Sequence, residues 1–319
     1  MKVLVTGAAG LYGFFAVREL ASKQTVSKVY GVDDFSRGYP REDDFMTRRW
    51  GEKVEIIRQK YQDFTVKEIN SLNVDVVIHL AGYNSGRESI NTPEEYFVNN
   101  EYGTFQFVQT LLRTRNQPFF IYVSTTEVYG SPLRSPVDEN HPVNPQNIYA
   151  ATKLAAEKHV LGAGRCLKYP VAAMRFTNTY GENHNICGYT SVVASFVDRA
   201  LRNEPLIIYG SGEQERDFLY ARDAANALYL AAVHRNSAEN MVINIATGTL
   251  ISVCGLAEKI IQLTGSLSEI IYLPCETAEP DGCRLDIGLA AKVLHWFPRT
   301  SLEEGLSKTI DWHKSIHSL

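Results

Sequence analysis

The chain opens with a short apolar run, Val3-Leu4-Val5. Gly7, Gly10 and Gly13 follow at once, and then Phe14, Val17, Leu20 and Ala21 at helical spacing. A buried strand that turns through glycines into a helix fits few architectures. Glycine lets the backbone approach a pyrophosphate closely, and the helix N-terminus, here Leu11 and Tyr12, favours its negative charge. A dinucleotide site then needs an acidic residue about 20 positions later, on the adenosine ribose. It is present: Lys28-Val29-Tyr30-Gly31-Val32 reads as a second strand ending at Asp33. A carboxylate there accepts hydrogen bonds from a ribose diol and repels a ribose phosphate, which favours NAD over NADP. Arg37, four residues on, pulls the other way. A tight turn without a ligand would use the same glycines, and Asp33 weighs against it.

Further short apolar runs at residues 54–59, 74–80, 119–124 and 171–176 alternate with helical patterns, notably 93–115 and 148–161. This predicts an α/β fold with a doubly wound parallel sheet covered on both faces. Ligands bind such sheets beyond the C-terminal strand ends, where Thr6, Asp33, His79-Leu80-Ala81-Gly82, Thr125 and Asn178 fall. From about residue 179 the alternation weakens, and 205–210 and 242–245 read as short strands between helices. The expected organisation is a dinucleotide-binding domain over 1–178 and a smaller C-terminal α/β lobe over 179–319, interleaved with it. No internal repeat or low-complexity linker is present.

Composition excludes several classes. A formal charge of −4 with mixed signs provides no basic face for nucleic acid. Cys166, Cys187, Cys254, Cys275 and Cys283 have neither metal-type spacing nor an even framework, so free thiols in a reducing compartment are expected and no metal site. The start is strand-like rather than a signal peptide. No segment approaches the ~18 uninterrupted apolar residues that span a bilayer. The expectation is a cytoplasmic enzyme without a membrane segment.

Chemistry enters at Tyr149-Ala150-Ala151-Thr152-Lys153. On a helix, Tyr149 and Lys153 share a face. An ammonium beside a phenol favours the phenolate and lowers its pKa from about 10. A phenol so tuned can take a hydroxyl proton and return it, while Lys153 bonds the nicotinamide ribose. Thr125 offers a hydroxyl to the substrate oxygen. An ordinary amphipathic helix with a packed Tyr and a surface Lys is the competing reading.

Taken with Thr6 to Gly13, Asp33-Asp34-Phe35-Ser36, Asp63-Phe64, His79 to Gly82, Asn99 and Ser124 to Gly130, these residues resemble an extended short-chain dehydrogenase/reductase of the nucleotide-sugar epimerase and dehydratase type. The likeness continues through Arg175 to Gly181, Ile208 to Gly212, Arg216-Asp217-Phe218 and Leu302 to Leu306, and so covers nearly the whole chain. The resemblance implies that Asp33, Asp34, Ser36, Leu80, Ala81, Gly82 and Asn99 help hold NAD, with Asp63 and Phe64 flanking the adenine. It implies a catalytic group of Thr125, Tyr149 and Lys153. Substrate contacts are expected from Arg87, Thr126 and Asn178, from Tyr209 near the nucleobase and from Arg216 on the diphosphate. Arg forks match phosphate oxygens. His79 is expected to pack or bond locally, and nothing in the sequence ranks His184, a candidate near the sugar, above a loop histidine.

Departures bear on the reaction. Thymidine-diphospho-glucose 4,6-dehydratases carry Asp–Glu after the threonine, whereas here the pair is Thr126-Glu127, so the acid is missing and the base remains. Gly86-Arg87-Glu88-Ser89 resembles the epimerase side. Glu279 to Arg284 departs from the common pattern, leaving Arg284 as a candidate second diphosphate cation. The expected activity is NAD-dependent epimerisation at C4 of a nucleotide-diphosphate hexose, a UDP-sugar foremost. The resemblance implies a homodimer through 93–115 and 148–161, whose apolar faces fit intramolecular packing equally. The alternative is a dehydratase or decarboxylase using Glu127 as base. A non-catalytic NAD-binding regulator is a third class, against which an intact Thr125, Tyr149 and Lys153 argue.

Overall fold

The structure, a computed structural model, describes residues 1–37, 49–183, 191–274 and 282–317. Its strands are β1 (Lys2–Thr6), β2 (Lys28–Asp33), β3 (Val54–Arg58), β4 (Val76–His79), β5 (Phe119–Thr125), β6 (Val171–Phe176), β7 (Asn178–Tyr180), β8 (Leu206–Tyr209), β9 (Glu215–Arg216), β10 (Phe218–Tyr220), β11 (Val242–Ile245), β12 (Ile251–Ser252) and β13 (Ile270–Leu273).

Seven strands form one parallel sheet in the order β11-β6-β5-β4-β1-β2-β3. Every residue of β5 and β6 is buried, as unbroken apolar strands require when helices cover both faces. Alternate residues of β1 feed the two faces. Val3 and Val5 pack with Val17, Leu20 and Leu228, beneath the helices Leu11–Ser22 and Ala221–Val233. Leu4 packs with Phe107, Phe120 and Val160, beneath the helices Gly103–Leu112 and Ile148–Leu167. The strand order reverses between β1 and β4, so a crevice opens at Thr6 and His79.

The helix expected over 93–115 is not continuous. Pro93–Tyr96 is α-helical, Phe97–Tyr102 is a π-helical turn, and Gly103–Leu112 resumes the α-helix. Inside that turn the Tyr61 hydroxyl donates to the Asn99 carbonyl, drawing it out of the α-helical ladder.

Beyond β6, a second core gathers Phe196, Val197, Leu206, Ile208, Leu256, Ile260, Leu306 and Ile310. It lies around the β8–β13 pair and the helices Val192–Leu201, Val253–Thr264 and Leu302–His317. Between β8 and β13 the chain returns to the large sheet and lays β11 beside β6, with Val242 opposite Ala173. Buried Asp217 ties the parts together. Its carboxylate accepts from the Thr247 and Gly248 N–H groups, and its carbonyl accepts from the Thr177 hydroxyl and the Asn178 amide. No described helix is long and apolar enough to cross a membrane.

Candidate active site

The glycine turn is dictated by close approach. Gly7 has φ +72°, and a side chain there would meet the Ala81 backbone nitrogen at 2.8 Å. A side chain at Gly13 would collide with the Gly7 carbonyl. Gly10 caps the helix Leu11–Ser22 without a side-chain hydrogen bond, so the first-turn N–H groups face the crevice for an anion.

Asp33 ends β2 beside this turn. Its Oδ2 accepts from the Ala9 N–H at 2.9 Å and its Oδ1 from the Phe35 N–H at 2.8 Å. Burial raises its pKa above the ordinary carboxylate value, and these two donors offset that only in part. Asp34 Oδ1 accepts from the Ser36 N–H and hydroxyl at 2.9 and 2.6 Å, so those two expected contacts also shape the loop. The Leu80 and Ala81 N–H groups, both at 3.2 Å, donate to Thr6 Oγ1. That leaves the Thr6 proton for His79 Nδ1 at 2.7 Å, and His79 Nε2 faces Thr104 Oγ1 at 3.0 Å. Burial drives the His79 pKa well below its ordinary value, so it is a neutral strut. Phe64 is buried against Phe107, whereas Asp63 is exposed. The Asn99 side chain accepts from Gln62 and donates to Asn100, whose own amide bonds the Tyr83 backbone beside Gly82.

Thr125 closes β5, and Tyr149 is the second residue of the helix Ile148–Leu167. Asn147 caps that helix, its Oδ1 accepting from the Ala150 N–H at 2.7 Å. Its Nδ2 donates to Glu127 Oε2 at 2.9 Å. The Tyr149 N–H donates to Ser89 Oγ at 3.2 Å. Burial pushes the Tyr149 phenol well above its ordinary pKa, the nearby Glu127 carboxylate adds to this, and the Thr125 hydroxyl pulls the other way. The lowered phenol pKa expected from i, i+4 spacing is therefore not met, because desolvation outweighs any charge one turn away. Lys153 is itself buried, and burial brings it down to about 7 against a partial offset from Glu157. Glu157 is already committed to buried Arg175, at 2.6 and 3.0 Å. Lys153 Nζ lies 4.5 Å from the Tyr122 ring centroid and 3.7 Å from where a side chain on Gly82 would begin. A buried lysine amine with no described ion pair, beneath a glycine-lined crevice, fits a dinucleotide ribose. NAD would be held by Gly7, Gly10, Leu11, Tyr12, Gly13, Asp33, Gly82 and Lys153.

The Arg87 guanidinium lies 4.5 Å over the Tyr209 ring. Tyr209 is 40% exposed rather than packed in a core. Arg216 Nη1 donates to the Glu215 carbonyl at 2.8 Å. Gly282 abuts that same Glu215 backbone, and Cys283 feels the Arg216 charge, so the exposed Arg284 segment runs alongside β9. The Arg284 carbonyl is anchored by the Val137 N–H at 2.8 Å. Asn178 Nδ2 donates to the Asp217 carbonyl at 3.3 Å, and Thr126 opens the 3-10 turn Thr126–Tyr129. His184, Cys187, Cys275 and the stretch 279–281 lie outside the described residues. Among the described residues Cys166, Cys254 and Cys283 are free thiols, and no metal-ligating cluster occurs. Asn147 and Ser89 were missed as site residues. An Asn just before a helical pattern is a capping signal, but its bond to Glu127 is visible only in the fold.

The model of the NAD dependent epimerase/dehydratase family matches residues 3–246. The chain belongs to that family. As a member it is an NAD-dependent enzyme. A Methanocaldococcus jannaschii relative carrying a provisional UDP-glucose 4-epimerase name is 32% identical over 314 residues, 98% of either chain. The human dTDP-D-glucose 4,6-dehydratase is 33% identical over 247 residues, 76% of this chain and 69% of the human one. Among solved structures, UDP-glucuronic acid 4-epimerase from Bacillus cereus, in complex with UDP-glucuronic acid and NAD, superposes with a TM-score of 0.90 at 26% identity. That match covers 99% of this chain and 100% of the other.

Proposed function

We propose that the protein inverts C4 of a nucleotide-diphosphate hexose, a UDP-sugar foremost. The observation that supports this reading is the hydrogen bond between the Thr125 and Tyr149 hydroxyls at the C-terminal end of β5, with Lys153 one turn along the same helix and its Nζ close to Gly82. NAD, bound along that turn, supplies the acceptor and donor of hydride. Tyr149 takes the C4 hydroxyl proton and returns it after the sugar turns. Thr125 holds the reacting oxygen, and its hydroxyl already favours the ionised phenol. Lys153 is the cation available to offset the desolvation of that phenol. Arg216 and Arg284 take the diphosphate, Asn178 and Thr126 line the sugar, and the Arg87–Tyr209 stack receives the nucleobase.

One observation favours a second reading, a dehydratase or decarboxylase. Glu127 acts electrostatically on Tyr149 and is oriented by Asn147, as a base at the sugar would be. Mass spectrometry after incubation with NAD and a panel of nucleotide sugars in heavy water separates the readings. A new chromatographic peak of unchanged mass is the expected outcome. Loss of water with deuterium uptake, or loss of carbon dioxide, would transfer the chemistry to Glu127. No turnover of any of these sugars would overturn the epimerase reading.

The division into a cofactor domain over 1–178 and a sugar lobe over 179–319 belongs to this proposal, as do a cytoplasmic setting and a homodimer. Exposed Ile90, Phe97, Val98, Tyr102 and Phe105, along the segment from Gly86 to Leu112, support the dimer. Free thiols support the setting.

A further inference from the structure

The loop after β2 carries a charge that Asp33 does not balance. Arg37 follows the Asp34–Ser36 turn directly, within four residues of the carboxylate that faces the adenosine ribose. A 2′-phosphate is a dianion whose oxygens match a guanidinium fork. An Arg beside an Asp at this place would offset the repulsion that keeps such a phosphate out.

That fork is occupied. Arg37 Nη1 and Nη2 donate to Glu88 Oε2 and Oε1 at 2.8 and 2.7 Å, and the guanidinium lies 3.7 Å over the Tyr83 ring. Glu88 is fixed from its own side. Its Oε2 also accepts from the Tyr96 hydroxyl at 3.1 Å, and its N–H donates to Ser85 Oγ at 3.0 Å. Among the described residues Arg58 also stands near, opposite Asp33 in register and 5.1 Å from the Phe35 ring centroid, with no described carboxylate fork. We propose that Glu88 is a specificity-determining residue for the cofactor, holding Arg37 on the sugar-side helix and away from the ribose so that Asp33 alone decides between NAD and NADP. The inference rests on the reading that Asp33 faces the adenosine ribose. It assigns to Glu88 a role that touches neither the cofactor nor the sugar.

The test is competition on the whole protein. Wild type and Glu88→Gln are equilibrated with an excess of NAD and NADP in equal amounts, and the retained nucleotides are separated and quantified. Substitution by Gln keeps the Tyr96 contact and the capped N–H while removing the charge. The retained NADP to NAD ratio is expected to rise about tenfold, the scale of one charge-assisted fork at a half-exposed site. Adding Arg37→Ala to that background should abolish the rise, and adding Arg58→Ala should leave it. An unchanged ratio in a folded variant would overturn the proposal, as would a rise that survives Arg37→Ala. If Glu88→Gln does not fold, Glu88→Asp, whose shorter side chain breaks the bidentate fork, is judged by the same ratio. Wild type retaining neither nucleotide would overturn the ribose reading as well, whereas wild type retaining NAD with no change in the variant overturns this inference alone.

Discussion

At Tyr149 two demands collide. The phenol must exchange a proton near neutral pH, yet it is buried beside a carboxylate that favours its neutral form. Removing the hydroxyl leaves the packing and deletes the proton path. Tyr149→Phe should therefore lower turnover about a thousandfold, the usual scale of a positioned acid–base group, while NAD stays bound in a chromatographic assay of retained cofactor. Lys153 permits a second prediction, on stability. Its folded value of about 7 lies below the ~10.4 of an exposed lysine, so folding favours the neutral amine. That contribution is complete above the unfolded value and is lost as pH falls toward 7. Denaturant unfolding of cofactor-free protein should show stability declining from about pH 10 to pH 7, and Lys153→Met should flatten that slope. Both residues were legible in the sequence as a helical pair. Their desolvation was not, because spacing along one helix says nothing of what the sheet and its neighbours bury around it.

At the scale of elements, the start of the helix Ile148–Leu167 does two things at once. Asn147 satisfies an orphan N–H there and reaches back to Glu127 across 20 residues of chain. Asn147→Ala should cost about 1 kcal/mol of stability in urea unfolding and reduce turnover. Asn147→Ser should restore the stability but not the turnover, since a hydroxyl caps the helix yet is too short for the carboxylate. Equal recovery of both by Asn147→Ser would show that the Glu127 bond is idle. The π-helical turn Phe97–Tyr102 marks where sequence reading failed. Apolar spacing on either side fits one continuous helix, and the Tyr61 hydroxyl that opens the turn comes from 38 residues earlier. Strand and helix identity follow from local pattern, whereas a break in a ladder imposed by a distant side chain does not.

For the whole molecule, the exposed apolar residues between Gly86 and Leu112 bear on the proposed dimer. Phe97→Glu together with Phe105→Glu should convert a dimer to a monomer in sedimentation, with the fold retained, since neither side chain lies in a core. The parallel sheet and its switch point were legible from alternating strands and the glycine turn. The place of β11 was not, because four apolar residues do not say which sheet edge they join. That strand constrains how such a chain can be inherited. β11 pairs with β6 only after the chain has passed through the helix Val192–Leu201 and β8, so a crossover near residue 178 severs a sheet rather than a linker. A lineage that trades whole C-terminal halves must trade an edge of the large sheet as well. Diversification is then steered toward loop exchange and point substitution at the crevice, under a scaffold that is passed on intact.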